Sequence, residues 1–152
     1  MARSSDPWYG RTMTDEDVTD FLNERGTGVL ALAEDRRAYG IPVAFAYDEA
    51  NERAIFDLGF APGSKKRSFI EATEEVCLTV YEHVDSDDWR SVVLTGPLRE
   101  LSAGEVDDDV EAWFHAVAGD IDVANSELEL QWYALEARER SGRFLEPERR
   151  SE

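Results

Sequence analysis

The sequence predicts a mainly β domain, an antiparallel barrel of about six strands with helices only at its edges. Short apolar or alternating segments follow one another at hairpin spacing, separated by turns rich in charge, glycine or proline. The regular alternation of strand and helix that would predict a parallel sheet is absent from this pattern. A chain of 152 residues is long enough to bury one core. We therefore expect a single domain over residues 1–152, with polar tails at about 1–11 and 146–152.

The first predicted element is a short amphipathic helix. Thr14 is a typical N-cap residue, and three acidic residues follow it. Val18, Phe21 and Leu22 then have the i, i+3, i+4 spacing of one apolar helical face. Gly26 is a typical helix stop, so we expect the helix to lie against the barrel and end there.

A hairpin with an unusual second strand follows. The apolar run at residues 28–33 and the charged turn at 34–37 predict its first strand and its turn. The second strand, residues 39–47, places Ile41, Val43, Phe45 and Tyr47 on one face and Pro42, Ala44 and Ala46 on the other. Because Pro42 cannot donate to a strand ladder, the strand lies at an edge or is interrupted there. The small face would admit a flat group against the backbone, or it would pack closely on a neighbouring strand.

The remaining elements are mostly strands. In order they are a strand over 53–60, a short helix after Ser64, a strand over 75–83, an acidic loop at 85–88, a long strand over 89–101, a helix over 105–118 with the apolar stripe Val110, Trp113, Phe114 and Val117, and a last strand over 127–140 with Leu128, Leu130, Trp132 and Ala134 on one side. Gly96 and Pro97 interrupt the long strand, which indicates a bulge or a corner where a sheet bends.

The charge of the chain is strongly acidic. It carries 34 Asp and Glu against 16 Lys and Arg, a formal charge of -18. DNA and RNA are disfavoured as partners, because such a surface is repelled by phosphate backbones. Only two of the basic residues are lysines, which resembles proteins of salt-in halophilic archaea. We expect a halophilic cytoplasm, where salt screens the self-repulsion; the alternative is an acidic protein of an ordinary cell.

The polar start of the chain and its apolar runs bear on location. Residues 1–6 lack the apolar segment of a signal peptide, and no apolar stretch approaches a membrane span. The single cysteine, Cys77, lies in an apolar run and is expected in the core, so neither an intrachain disulfide nor a cysteine-based zinc site is predicted. We expect a cytoplasmic protein that binds no membrane.

The strongest local signal for a ligand is a cationic turn that follows Pro62 and Gly63. Ser64 is a good N-cap, and Lys65, Lys66 and Arg67 fall in the first turn of the predicted helix. Cations at that end of a helix oppose its dipole, at a cost of roughly a few tenths of a kcal/mol each. A bound phosphate would reverse the sign, since free N–H groups and cationic side chains both favour it. The alternative is that these cations only dilute the acidic repulsion of an exposed turn.

Candidates for catalysis and for metal binding are few. His83 ends a strand beside an acidic loop and His115 lies on a helix, so solvated or capping roles are expected for both. The acidic residues 107–109 lie in the first turn of a helix, where the helix dipole favours them. We therefore predict no metal site, and the catalytic residues stay unknown.

The order of these elements resembles the FMN-binding split-barrel family related to pyridoxamine 5'-phosphate oxidase, over about residues 14–143. The residues that carry the resemblance are the segments 28–32, 39–47, 63–66, 76–80 and 89–96. The resemblance implies a six-stranded split β-barrel, a homodimer and FMN in a groove at the dimer interface.

The resemblance also implies roles for particular residues. Ser64, Lys65, Lys66 and Arg67 would hold the phosphate of FMN. The backbone of a four-residue stretch would line the isoalloxazine ring: Pro42, Val43, Ala44 and Phe45. Trp89, Ser91 and Val92 would come from a strand near the interface and reach the flavin of the other subunit.

The sequence departs from the true oxidase. That enzyme uses an Arg-Met-Val-Leu-Leu-Lys-like strand and a late Arg-x-His pair for its phosphorylated substrate, and here these stretches read as residues 39–45 and 142–145. A relative of the flavin-reductase or nitroimidazole-resistance type fits better. We predict an FMN-dependent oxidoreductase acting on a small soluble electron acceptor, with NAD(P)H as a possible donor. The alternatives are a non-catalytic flavin-binding or sensing protein, and a split barrel that binds haem or a deazaflavin.

Overall fold

The computed structural model describes residues 8–118 and 129–147, except for the side chains of residues 117 and 118. This part of the chain forms ten strands and three α-helices. The strands are β1 (Arg11–Thr12), β2 (Thr27–Glu34), β3 (Arg37–Ala44), β4 (Ala46–Asp48), β5 (Arg53–Phe60), β6 (Val76–Asp85), β7 (Asp88–Gly96), β8 (Leu98–Leu101), β9 (Glu129–Glu136) and β10 (Glu139–Leu145), and the helices are α1 (Asp15–Glu24), α2 (Lys65–Ala72) and α3 (Asp108–Ala118).

The strands form two antiparallel sheets. The larger sheet has six strands in the order β1-β10-β7-β6-β2-β3, and the smaller has four in the order β4-β5-β9-β8. Every strand pairing among the described residues is antiparallel. The predicted class, mainly β with flanking helices, is confirmed.

The core lies between the two sheets and α1. Alternation in the strands sends every second side chain inward, and these residues are apolar. Helix α1 adds Val18, Phe21 and Leu22, all buried as predicted, and a capping box between Thr14 and Asp17 fixes its start. A second, smaller cluster lies under α3, and its buried members are Ile55, Leu101, Val106, Phe114 and Ala134.

The predicted strand 39–47 changes sheet at Phe45. Strand β3 ends at Ala44 in the larger sheet and β4 begins at Ala46 in the smaller one. Phe45 is fully buried at this corner, and its N–H donates to the carbonyl of Gly26 at 2.9 Å. Ile41 and Val43, predicted on the same face as Phe45, are buried too, and Tyr47 on that face is half-buried. Pro42 lies on the last strand of the sheet, so the predicted edge position is confirmed.

The break at Gly96 and Pro97 is the predicted corner between the sheets. Strand β7 ends at Gly96 in the larger sheet, and β8 begins at Leu98 in the smaller one. A Cβ atom on Gly96 would lie 2.1 Å from the carbonyl oxygen of Glu136, so only glycine allows this approach.

The last predicted strand and the acidic loop also need correction, and one short strand was missed. The last strand predicted over 127–140 is a hairpin of β9 and β10, because the chain turns where the Arg138 N–H donates to the carbonyl of Thr95. The acidic loop at 85–88 is a tighter turn, with β6 ending at Asp85 and β7 starting at Asp88. Strand β1, at the end of the predicted polar tail, pairs with β10.

The predicted apolar side of the last strand is only partly buried. Ala134 is fully buried and Trp132 packs against the second cluster, whereas Leu130 is 56% exposed near the start of β9. Leu128 lies outside the described residues. The burial of this side therefore increases along β9 toward its pairing with β8.

Cys77 does not lie in the predicted core. Its neighbours on β6, Val76 and Leu78, are fully buried, so the alternation of the strand turns Cys77 to the outer face of the sheet. The thiol is free and half-buried there. The apolar run at 76–80 concealed this alternation, because the outward residues are uncharged as well.

Helix α3 begins three residues later than predicted, at Asp108, after a 3-10 turn. Of its predicted stripe, Phe114 is buried in the second cluster, and Val110 and Trp113 pack against that cluster. The side chain of Val117 lies outside the described residues.

Candidate functional site

A gap separates the two sheets along β3 and β5. Strand β3 ends the larger sheet, and β4 pairs with β5 only as far as Ile55. The remainder of β5 therefore has one free edge. No hydrogen-bonded pairing joins β3 to β5 in the part of the chain that the structure describes, although the two strands run close together. We call this space, between residues 40–44 and residues 56–60, the gap.

Alternation along the ladders determines which backbone groups face the gap. The Phe45 N–H bonds to Gly26 on the β2 side, so Gly40, Pro42 and Ala44 direct their backbone groups outward. Pro42 has no N–H, which leaves the donors of Gly40 and Ala44. On the other side of the gap, the same alternation directs the backbone of Asp57 and Gly59 toward it.

The predicted ring-lining stretch borders this gap with its backbone. The side chains of Val43 and Phe45 are buried in the core, whereas Pro42 is exposed and Ala44 is half-buried. A flat ligand could therefore contact the main chain and the small residues of this stretch, but not the side chains of Val43 and Phe45.

Helix α2 begins beside the gap, with the predicted cap. The Ser64 Oγ accepts a hydrogen bond from the Arg67 N–H at 3.3 Å. Gly63 before it has a φ of +70°, a left-handed conformation that glycine adopts without strain, and a Cβ atom added to Gly63 would meet no atom within 4 Å. The first turn contains no acidic residue. The amide groups of this turn and the space around Gly63 therefore fit an anion.

The three cations of this turn point to different places. The Lys65 ammonium lies over two aromatic rings, 4.9 Å from the centroid of Tyr39 and 5.7 Å from that of Phe69. It forms no ion pair with any described carboxylate. Lys65 is therefore the cation of the turn that is free to meet an anion.

Lys66 and Arg67 are engaged within the protein. The Lys66 Nζ donates to the carbonyl oxygen of Gly59 at 3.0 Å, and burial lowers the pKa of this lysine. The Arg67 guanidinium lies 2.6 Å from a carboxylate oxygen of Glu129 and 3.6 Å from one of Glu71. The hydrogen bond to Glu129 raises the pKa of Arg67, so its charge is already partly neutralised.

Trp89 and Ser91 lie far from this turn in the same chain. Both belong to β7, three strands away from β3 in the larger sheet. Trp89 packs against Gly10, where a Cβ atom would lie 2.6 Å from the indole ring. Ser91 is paired with Tyr81 and Arg143 on neighbouring strands. The structure thus brings Lys66 and Arg67 against the gap residues Gly59 and Phe60, and it places Ser64 and Lys65 at the adjoining start of α2. It does not bring the two β7 residues to the gap.

In the part of the chain that the structure describes, the outer face of the larger sheet is exposed or half-buried, and its centre carries no charged side chain. Its register places one small or apolar residue beside another across three strands, β2, β6 and β7, namely Val29, Ala31, Cys77, Thr79, Tyr81, Ser91, Val93 and Thr95. Val29 is 40% exposed and Tyr81 is 59% exposed. We call this surface the β2–β7 face. An uncharged face is unusual in a chain of charge -18.

Asp57 is a residue of interest that the sequence analysis missed. Its Oδ1 is buried and has no hydrogen-bond partner among the described residues. Burial raises the pKa of Asp57, the nearby His115 lowers it in part, and Glu111 adds to the rise. The signal was present in the sequence, as a carboxylate in the middle of the apolar strand 53–60.

A large cavity lies away from the gap. It has a volume of about 560 Å³ and runs along the start of β10, lined mainly by polar residues such as Arg138 and Arg140. Neither the cationic turn nor the small-residue strand contributes to its lining, so this cavity is separate from the predicted site.

Metal ligands and membrane spans are both missing from the described residues. No group of three or more His, Cys, Asp and Glu side chains is placed there to hold a metal ion. None of the described helices has both the length and the apolar character needed to span a membrane.

Comparison with known proteins identifies relatives of the fold. A family model described as pyridoxamine 5'-phosphate oxidase matches residues 14–144. The crystal structure of a FAD-binding protein from Mesorhizobium loti has a TM-score of 0.71 at 24% identity, covering 88% of this chain and 96% of that one. No curated protein sequence matches.

Two other solved structures share the fold at lower identity. A FAD and haem binding protein from Mycobacterium smegmatis has a TM-score of 0.64 at 15% identity, covering 91% of this chain and 75% of that one. A 5-nitroimidazole antibiotic resistance protein from Bacteroides thetaiotaomicron, so described provisionally, has a TM-score of 0.61 at 11% identity, covering 88% and 86%. At these identities the likeness concerns the fold alone. Since the family match spans nearly all the described residues and the two-sheet architecture agrees with these structures, the chain belongs to the pyridoxamine 5'-phosphate oxidase family.

Proposed function

We propose that the protein binds FMN along the gap and is an FMN-dependent oxidoreductase acting on a small soluble electron acceptor. The observation that carries the proposal is the start of α2, where Ser64 caps a first turn with three cations and no acid in a chain of charge -18. Such a turn costs stability unless an anion compensates it. The strand that borders the gap supplies the flat, small surface that a planar ring needs.

In this proposal the phosphate of FMN lies at the first turn of α2. Free N–H groups of the turn would donate to it, and Lys65 would provide a charge that no described carboxylate neutralises. Arg67 is expected to contribute less to phosphate binding, because its guanidinium is already paired with the carboxylate of Glu129. Lys65 is therefore the side chain on which we expect phosphate binding to depend most.

The ring would lie along β3. The N–H groups of Gly40 and Ala44 face the gap, and these donors can hydrogen-bond the polar edge of a flavin. When bound, the flavin supplies the electron transfer, and the chain supplies position and electrostatics. Among the described residues we assign no side chain as acid or base, and solvent can exchange protons at an open site.

We propose further that the protein is a homodimer that joins through the β2–β7 face. This face is apolar or uncharged at its centre, as is typical of the core of an interface between subunits. Trp89 and Ser91 lie on β7 at or beside this face, and pairing of two copies is the arrangement in which they could approach a flavin of the other subunit. A cytoplasm rich in salt is the proposed location.

Pyridoxamine phosphate is not the substrate that we propose. The stretch at 142–145 contributes Arg143, whose guanidinium lies 5.1 Å from the ring centroid of Tyr9 instead of in the gap. We infer instead a small acceptor that reaches the gap from solvent, with NAD(P)H as the candidate electron donor.

The test is to purify the protein in multimolar KCl, release any bound cofactor with denaturant and identify it by mass spectrometry. We expect FMN, with the absorption bands of a flavin before release. If FAD, haem or a deazaflavin is released instead, that compound is the cofactor and the assignment of FMN is wrong. Oxidation assays with NADH or NADPH would then separate an oxidoreductase from a non-catalytic flavin protein.

A charge reversal tests the assigned position. Lys65→Glu should weaken FMN binding, measured by quenching of flavin fluorescence, by about tenfold or more, because one attraction to the phosphate becomes a repulsion. Arg138→Glu is the matched control, since it makes the same charge change at a residue with no side-chain partner in the described structure. Equal effects of the two variants, or no binding of FMN by the unmodified protein, would refute the site.

A further inference from the structure

Lys66 differs from its two neighbours in where its charge lies. It belongs to the cationic turn by sequence, but its ammonium group leaves the start of α2 and donates to the carbonyl oxygen of Gly59 on β5. It also lies 5.6 Å from the ring centroid of Phe60. The charge is therefore on the β5 side of the gap and not at the exposed end of the helix.

The position along the gap follows from strand register. Strand β4 continues β3 and pairs with β5, so that Ala46 lies opposite Ile55. The same antiparallel count, continued past the corner at Phe45, matches Ala44 with Asp57 and Pro42 with Gly59 in order along the gap, where β3 and β5 run close together without hydrogen-bonded pairing. The carbonyl that Lys66 contacts therefore faces the stretch of β3 that is expected to border the ring.

The surroundings of Lys66 make its charge effective. It forms no ion pair with a described carboxylate, in contrast to Arg67, which is held by Glu129 and Glu71. The nearest acidic residue along β5 is Asp57. Burial raises the pKa of its carboxylate, and the charges that also shift this pKa are those of His115 and Glu111 on α3, and not that of Lys66. A charge that is partly desolvated and uncompensated acts more strongly on a nearby group than one in water.

We propose that Lys66 acts on the flavin ring and not on its phosphate, raising the reduction potential of the bound cofactor by stabilising the negative charge that the ring gains on reduction. Lys65 then serves the phosphate, so two adjacent lysines have separate tasks. This inference rests on the proposed function, because it requires a flavin in the gap. In this role Lys66 contributes only its positive charge near the ring, and no proton or electron passes through it.

The proposal is tested with two neutral variants, Lys66→Met and Lys65→Met, in the same high salt. The dissociation constant for oxidised FMN is measured by fluorescence quenching, and the midpoint potential by equilibration with a reference dye. For Lys66→Met we expect little change in binding of oxidised FMN and a lower potential. A roughly tenfold loss in the preference for reduced over oxidised FMN corresponds to about 30 mV for a two-electron couple.

For Lys65→Met the opposite pattern is expected, with weaker binding and an unchanged potential. Lys66→Gln, which keeps a donor for Gly59 but loses the charge, should behave as Lys66→Met and provides a second variant if the first is poorly folded. Lys66→Arg keeps the charge, so its bound FMN should have a midpoint potential close to that of the unmodified protein.

The outcomes separate this inference from the proposed function. Binding of FMN with an unchanged potential in both neutral Lys66 variants would overturn the role of Lys66 and leave the flavin site standing. The role of Lys66 would also be overturned if its neutral variants weaken the binding of oxidised FMN as much as Lys65→Met does. Failure of the unmodified protein to bind any flavin would overturn the proposed function itself.

Discussion

Arg140 on β10 donates a hydrogen bond to the hydroxyl group of Tyr47 on β4, and so connects the two sheets at the side of α1. The same guanidinium donates to the Thr19 hydroxyl at 3.2 Å and to the carbonyl of Asp15 at 2.9 Å. Its side chain is only 13% exposed. The guanidinium N–H groups of one arginine therefore connect two sheets and a helix.

Replacement of Arg140 should destabilise the fold. Arg140→Met removes several hydrogen bonds from a charged donor and leaves the Tyr47 hydroxyl without its partner, so we expect a loss of about 2–4 kcal/mol in the free energy of unfolding. Chemical denaturation in high salt measures it. Arg138→Met, two residues away and without a side-chain partner in the described structure, should change stability by less than about 0.5 kcal/mol. Similar losses for both variants would show that the Arg140 contacts contribute little.

Gly96 should tolerate no side chain. A Cβ there would lie 2.1 Å from the carbonyl oxygen of Glu136, which belongs to the backbone and cannot rotate away. We expect Gly96→Ala to cost about 1–3 kcal/mol, or to prevent folding, because the corner between β7 and β8 must open. Gly104→Ala is the matched control, since no atom lies within 4 Å of its added Cβ. A neutral result for Gly96→Ala, by thermal unfolding, would contradict the close approach.

The corners explain why the strand count was underestimated from sequence. Alternation correctly placed Ile41, Val43 and Phe45 on one face, and the structure shows that this face is the buried one. The pattern could not show that the chain changes sheets at Phe45, since that depends on the distant carbonyl of Gly26. Gly96 and Pro97 disclosed the other corner because both residues are poor in a regular strand.

The cap and the cationic turn of the candidate site were predictable from the sequence, but the directions of its side chains were not. The cap at Ser64 and the cationic first turn follow from local sequence, and the structure has both. The directions of the three cationic side chains do not, because they depend on Gly59, Tyr39 and Glu129, which are distant in sequence or lie on other elements. Asp57 was missed because the sequence analysis relied on repeating patterns, and a single acidic residue in a strand forms no such pattern.

The proposed dimer can be tested on the β2–β7 face. Val29→Glu would place a charge in the middle of an uncharged surface, so we expect dissociation to monomers, measured by size-exclusion chromatography with light scattering. Val84→Glu makes the same change at a residue that is 65% exposed near the end of β6 and should leave the dimer intact. An unmodified protein that is monomeric at micromolar concentration would contradict the dimer directly.

The acid excess predicts a strong dependence of stability on salt. With a formal charge of -18, self-repulsion favours the expanded state at low ionic strength, and the Debye length falls from about 10 Å at 0.1 M to about 3 Å at 1 M. The midpoint of thermal unfolding should therefore rise steeply between about 0.1 M and multimolar KCl. A midpoint that is constant over that range would favour the alternative of an acidic protein from an ordinary cell.

Asp57 should make stability depend on pH in a direction opposite to that of a salt-bridged acid. Burial raises its pKa above the ordinary value of 3.8, so the folded chain holds this proton more tightly than the unfolded chain does. The protonated carboxyl contributes stability that is fully present below the ordinary pKa and is lost as the pH rises through the pKa of the folded state. Asp57→Asn cannot ionise and should escape this loss.

We therefore expect Asp57→Asn to be more stable than the unmodified protein at about pH 7, with a difference that shrinks as the pH falls toward about 3. Chemical unfolding of both proteins across this range, at constant salt, gives the difference directly. Asp20→Asn, on the exposed side of α1, is the control for the general loss of one negative charge and should show a difference with little pH dependence. If the advantage of Asp57→Asn is equally flat, the unpartnered Oδ1 does not stay buried in solution, and α3 must admit water or a counter-charge beside it.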